Sequence, residues 1–261
     1  MYKHLLWFLK IGAVVNLYFL LQTLKFPMAS IDPYILVPAQ VLFFVSAYRC
    51  LFPVSYAKNI VLHDSFFSSI FLTRLLATFV EVAYIYQFSY VLRIINEGQI
   101  PIIDLLSWLM VFQVVISQFF VWGAILLQTE KYYFYEEFGW AIIFILNTVT
   151  SIVLYLCLDN LGKYEILLQI NIIFGSLYLP WQLIHLRKIR ARIKNQDLIS
   201  GHKLNLTWKL LLEGLRKSLR VKNKTDDSEA WGGTVGMIWM ISYWASIIPV
   251  WIYFIVYTFS M

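Results

Sequence analysis

Seven apolar runs lie along the chain, separated by six more polar stretches. Each run is about 20 residues long, the length a helix needs to cross a hydrocarbon core of about 30 Å. The runs predict transmembrane helices over residues 5–24, 34–52, 66–93, 105–127, 139–158, 164–186 and 232–257. Turn signals separate them: Pro27 and Pro33 after the first run, Asn96-Glu97-Gly98 before Pro101, and Asp159-Asn160 with Gly162. No polar block is long enough to fold as a soluble domain. The expectation is an all-α integral membrane protein, a seven-transmembrane-helix bundle forming one polytopic domain over residues 1–261. The first run is read as a retained signal anchor, because no small-residue cleavage site follows it.

Composition agrees with this pattern and adds a direction. Sixty per cent of the residues are hydrophobic and 14% charged, where a soluble domain carries roughly 25% charge. The net charge of +6 is unevenly placed: twelve of the 21 Lys and Arg residues fall within 187–224, beside the sixth run. Basic clusters next to a span mark the cytoplasmic side and attract anionic headgroups. Segment 187–230 is therefore expected in the cytoplasm. Alternation then puts the N-terminus with Lys3 and Lys10 inside, together with the loop carrying Arg49 and Lys58. Asp32, Glu97, Asp159 and the C-terminus fall outside. Positive charge so placed points to a lipid bilayer as partner, not to nucleic acid; it implies no particular oligomeric state. Within the segment Leu204, Trp208, Leu211, Leu212, Leu215 and Leu219 recur at helical spacing among Lys203, Lys209, Arg216, Lys217 and Arg220. That pattern predicts an amphipathic helix in the headgroup plane before the last span.

Candidate chemistry lies inside the runs. Arg74, Thr78 and Glu81 are spaced i, i+4, i+7 in the third run and share a helix face; Gln87 follows two turns on. Ionisable groups at membrane depth are costly and usually functional. The expected role is a polar ligand or ion site in which Glu81 changes protonation or accepts a cationic group and Arg74 holds an anion or tunes Glu81; the alternative is a buried ion pair that fixes packing. Other polar stripes accompany them: Gln113 with Ser117, Asn147 with Thr150 and Ser151, and Asn171, Gly175, Tyr178 and Gln182. Ser242, Ser246, Pro249 and Tyr253 form a fourth in the last run. Such residues face protein or water, not lipid, and small hydroxylated residues also serve as packing glue. His63-Asp64 is an adjacent acid–base pair in a loop, though Asp64 or Ser65 also suits the cap of the third span. Cys50 and Cys157 are expected at opposite membrane faces, too far apart for a disulfide.

Several chemistries lack their residues. The four histidines show no HExxH or paired spacing, so neither a zinc hydrolase nor a diiron desaturase is indicated, and no metal or cofactor is expected. GxSxG, a P-loop and a dinucleotide fingerprint are missing as well. Seven spans, a carboxylate on the third and an aromatic-rich last span resemble the layout of the rhodopsins. That family holds retinal on a last-span lysine, and residues 231–261 contain none, so its chemistry does not carry over. The expected function is a small transporter, channel or ligand-binding receptor. The alternatives are a metal-independent membrane enzyme acting on a lipid or apolar substrate, using Glu81 or His63-Asp64, and a membrane scaffold or assembly factor.

Overall fold

The computed structural model describes residues 2–27, 31–56, 59–200 and 207–260. In chain order these form α1 (Tyr2–Leu24), α2 (Pro33–Leu51), β1 (Val54–Ser55), β2 (Ile60–Val61), a 3₁₀ turn (Phe66–Ser68) and α3 (Ile70–Asn96). Next come α4 (Pro101–Leu127), α5 (Glu130–Cys157), a 3₁₀ turn (Gly162–Tyr164), α6 (Glu165–Ser200) and α7 (Trp208–Arg220). The chain closes with β3 (Asn223–Lys224), α8 (Gly233–Met240), a π-helical stretch (Ile241–Ser246) and α9 (Ile247–Ser260). Among the described residues seven helices are long and apolar enough to cross a membrane. The fold is the all-α, seven-helix membrane architecture that the hydrophobic runs predict.

Several boundaries differ from the sequence expectation. Residues 130–138, read as a connection because they are rich in charge and aromatics, are the first turns of α5. Thr129 caps that helix, its hydroxyl accepting the Lys131 N–H at 3.4 Å, and Tyr132 and Tyr135 pack their rings on Phe120 of α4. α6 does not stop at residue 186 but runs on through the basic residues to Ser200, whose side chains attract solvent without breaking the helix. The last span is divided by its π stretch, and the loop after α2 contains β1 and β2. The expected amphipathic helix is α7; Leu204 and Lys203 of that expectation, and Lys58 of the inner loop, lie outside the described residues.

The chain divides into two compact units, residues 1–87 with 218–261 and residues 88–217. In the first, α1 meets the π stretch at backbone distance: a Cβ on Gly12 would lie 2.2 Å from Ala245 Cβ. Pro249, in the first turn of α9, has no N–H to donate. Asn16 of α1 donates its Nδ2 to Trp244 O in the π stretch at 2.9 Å and to Gly12 O at 2.8 Å. One turn further along α1, Phe19 stacks on Tyr253 of α9 at 4.4 Å and tilts against Phe43 of α2 at 5.4 Å. β1 pairs antiparallel with β2, and β2 parallel with β3. Lys222, just before β3, ties this small sheet to the start of α3 through Asp64 at 3.1 Å and Ser65 O at 2.7 Å.

The second unit is built from helical hairpins. Asn96 is fully buried and folds the α3–α4 turn on itself, with Nδ2 donating to Ile100 O (3.1 Å) and Asp104 Oδ1 (3.0 Å) while Oδ1 accepts the Ile100 N–H (3.1 Å). Gly98 takes φ 73° there, a left-handed value that favours glycine. α5 and α6 touch at Gly175, where a Cβ would lie 1.8 Å from Thr148 Oγ1. Cys50 and Cys157 are both free thiols.

The Gly12–Ala245 contact and the Asn16 bridge are expected to govern the first unit's stability. Asn16→Ala removes two buried hydrogen bonds, at a cost of about 1–3 kcal/mol, and Gly12→Val forces α1 off the π stretch and lowers the thermal midpoint further. Melting of the detergent-purified variants checks this; wild-type midpoints in both would remove the contact from its organising place.

Candidate functional site

α3 carries no glycine or proline across its 27 residues, so its side chains keep an uninterrupted helical register. Arg74 and Glu81 stand about 10 Å apart along its axis, at 1.5 Å per residue. The long arginine side chain closes that gap. Arg74 Nη2 lies 2.5 Å from Glu81 Oε2 and Nη1 donates to Oε1 at 3.3 Å, a two-point fork onto the carboxylate. Both residues are buried, at 2% and 5% relative exposure. Thr78 is half-buried between them on the same face. In an interior of low dielectric each charge alone would be prohibitive, and the pair is close to neutral as a unit.

Around the pair the first unit gathers groups that the sequence did not single out. Tyr84, one turn beyond Glu81, shares a hydrogen bond with the Tyr243 hydroxyl at 2.6 Å. Tyr243 sits in the π stretch, a local widening often found at functional sites. Tyr56, following β1, presents its ring 5.7 Å from Arg74 Cζ and 5.2 Å from Arg49 Cζ. Arg49, in the last turn of α2, is 6% exposed; it donates from Nη1 to the Tyr56 hydroxyl and lies 4.8 Å from the Trp244 ring. The sequence offered Arg49 as a marker of the inner loop. Its burial depends on Tyr56 and Trp244, which no local spacing connects to it.

The remaining predicted residues take structural places. Gln87 is buried and donates Nε2 to Ile35 O at 2.7 Å, joining α3 to the first turn of α2 and not to the ion pair. Gln113 and Ser117 flank Gly139, where a Cβ would lie 2.6 Å from Gln113 Nε2 and 2.1 Å from Ser117 Oγ. Asn171 Nδ2 donates to Ser151 Oγ at 3.0 Å. Asn147 is buried, and neither its Nδ2 nor its Oδ1 has a partner among the described residues; Thr150 Oγ1, one turn on, shares this state. Gln182 donates to the backbone and side chain of Glu137 at 2.7 and 2.8 Å.

That last contact belongs to a second polar cluster, in the second unit. His185 Nε2 lies 3.8 Å from Glu137 Oε1, and its ring stacks on Trp181 at 5.0 Å and meets the Tyr133 ring edge-on at 6.3 Å. The sequence pattern marked Gln182 but not Glu137 as its partner. The His63-Asp64 pair is not assembled as an acid–base unit, since Asp64 faces Lys222.

These features define a class: an all-α, multi-pass integral membrane protein with a charged cluster buried in one of its units. No protein family, curated protein or solved structure matches the chain.

The ion pair makes a distinctive prediction. Glu81→Gln leaves Arg74 buried without its counter-charge and is expected to cost about 3–5 kcal/mol, whereas the double variant Arg74→Met/Glu81→Leu regains most of that loss. Thermal unfolding of wild type, Glu81→Gln and the double variant tests it; a double variant no more stable than Glu81→Gln would mean that the loss does not come from an uncompensated Arg74 charge.

Proposed function

We propose that the protein is a small transporter, channel or ligand-binding receptor that handles a polar ligand at the Arg74–Glu81 cluster. The observation carrying this reading is the gathering of two guanidinium groups, a carboxylate and two tyrosine hydroxyls within apolar helices of one unit. Apolar residues of similar volume stabilise a core as well as a buried ion pair does, or better. Packing alone therefore gives no reason for this chemistry at membrane depth. A ligand with charge of its own can exchange partners with the pair, freeing Arg74 or Glu81, and so couple binding to a change at Tyr243 in the π stretch. In this reading segment 187–224 faces the cytoplasm and α7 rests on anionic headgroups. Trp208, Leu212 and Leu219 are exposed in one stripe, while Gly214 and Ser218 form the buried face. Lys209, Arg216 and Arg220 flank the stripe on its solvent side, as an interfacial helix requires.

A second reading, a metal-independent membrane enzyme acting on a lipid, is favoured by the Glu137–His185–Tyr133 cluster. A partly exposed imidazole beside a carboxylate and a phenol is the equipment of a general base. One experiment separates the two. Mass spectrometry of molecules retained by the detergent-purified protein is expected to find a small polar ligand in the wild type that Arg74→Met/Glu81→Leu loses. A lipid-derived molecule retained by the wild type and lost in His185→Gln would move the assignment to the enzyme. The same preparations test α7: Lys209→Glu/Arg216→Glu/Arg220→Glu is expected to fold normally and to retain less phosphatidylglycerol than wild type, and unchanged lipid content would detach α7 from the headgroups.

A further inference from the structure

We propose that the ligand of this cluster is an anion, with a carboxylate or phosphate oxygen pair received on the free edge of Arg49. The inference rests on the ligand-site reading above and names its chemistry. It begins with charge. In the first unit's interior the buried ionic side chains around Tyr56 are Arg49, Arg74 and Glu81. Glu81 is engaged two-fold by Arg74, so the positive charge left over is that of Arg49, which has no carboxylate partner among the described residues.

Geometry shows how much of Arg49 is committed. A guanidinium has five N–H donors, all in its plane. Among the described residues only Nη1 finds an acceptor, the Tyr56 hydroxyl. Nε is fully buried with no acceptor. The rings of Tyr56 and Trp244 lie 5.2 and 4.8 Å from Cζ and attract the cation through their π clouds. The Nε–Nη2 edge, the side-on fork that matches the two oxygens of a carboxylate or phosphate, is the one without partners among the described residues. The C-terminal end of α2 contributes about half a negative charge near Arg49, which lowers the demand for a counter-ion without meeting it.

Tyr56 also sets the ligand's second influence. Its ring lies beside both Arg49 and Arg74, so an anion on Arg49 acts on the Arg74–Glu81 pair, pulling on Arg74 and repelling Glu81. A cationic ligand would meet the opposite field. The same oxyanion chemistry is offered by a free solute and by a lipid headgroup phosphate, and the test distinguishes them.

The experiment is thermal unfolding of the full chain in detergent, at constant ionic strength, as sodium acetate or inorganic phosphate replaces a bulky sulfonate salt. The wild-type midpoint is expected to rise with the logarithm of acetate or phosphate concentration, as ligand linkage requires. Arg49→Gln is expected to abolish the rise, and Arg49→Lys, which keeps the charge and loses the fork, to weaken the apparent affinity about tenfold. If Arg49→Gln fails to fold, Arg49→Lys decides. Repeating the melts in nanodiscs of phosphatidylcholine with and without phosphatidylglycerol identifies the source: a rise confined to phosphatidylglycerol assigns the headgroup, a rise with free anion assigns a solute. Equal responses of wild type and the Arg49 variants, or no response to any anion, overturn the proposal. Stabilisation by tetramethylammonium that Arg74→Met/Glu81→Leu abolishes would leave the ligand site standing and remove the anion. No response to any probe, with no retained ligand in the mass spectrum, removes both.

Discussion

A guanidinium and a carboxylate held dry on one helix constrain everything packed around them. Water would answer either charge at no cost, and apolar side chains answer neither. The Arg74–Glu81 fork therefore needs walls that exclude solvent while offering polar edges. Those walls come from two separate parts of the chain, Tyr56 beyond α2 and Tyr243 in the last span, with Tyr84 of α3 itself meeting Tyr243. Aromatic rings suit this duty because a tyrosine shows an apolar body and one hydroxyl. Tyr243 is held in the π stretch, which Asn16 ties to α1 through the Trp244 carbonyl. Asn16 reaches that carbonyl only because Gly12 lets α1 approach Ala245 at backbone distance. The chemistry of α3 is thus supported by a glycine and an asparagine in the first helix.

The second unit meets a related problem with amides and an imidazole–carboxylate contact. Its helices meet at small residues, Gly139 against Gln113 and Ser117, Gly175 against Thr148, which is how membrane helices gain close packing when lipid is as apolar as their own side chains. Its polar amides are used to bind helix to helix, Asn171 to Ser151 and Gln182 to Glu137. Asn147 and Thr150 depart from this rule, being buried with unmet hydrogen-bonding capacity.

What the sequence makes legible follows the range of each interaction. The seven spans are visible because each hydrophobic run is a local property, and Arg74 and Glu81 are visible because seven residues bring two side chains to one helix face. The start of α5 was hidden because tyrosines and glutamates suit a connection and an amphipathic first turn equally; Thr129 as cap decides it. The extension of α6 was hidden for a like reason, since lysines and arginines favour helix as readily as they mark a membrane boundary. Arg49 could be seen as a charge but not as a buried one: Tyr56 is near in sequence and across a turn, and Trp244 belongs to the last helix. Glu137 carries no local signal of a partner, and only the packing of α5 on α6 joins it to Gln182 and His185.

Arg49 bears on how a charged site can fold without its ligand and still receive one. Two aromatic faces, a tyrosine hydroxyl and a helix C-terminus each stabilise the cation by about 1–2 kcal/mol. The penalty for a buried ion is several kcal/mol. The two are of similar size, so the guanidinium can stay buried with no ligand present. Compensation of this kind is directional. The rings attract the cation through their π clouds and the Tyr56 hydroxyl accepts from Nη1, while Nε and Nη2 keep donors without an acceptor among the described residues. A carboxylate of the protein on that edge would have left nothing to bind. An aliphatic residue in place of Trp244 would have withdrawn part of the stabilisation and driven Arg49 toward the headgroups. Aromatic faces are the solution that keeps the charge buried and its fork preorganised, and preorganisation is what lets a single fork bind without ordering the protein at the moment of contact.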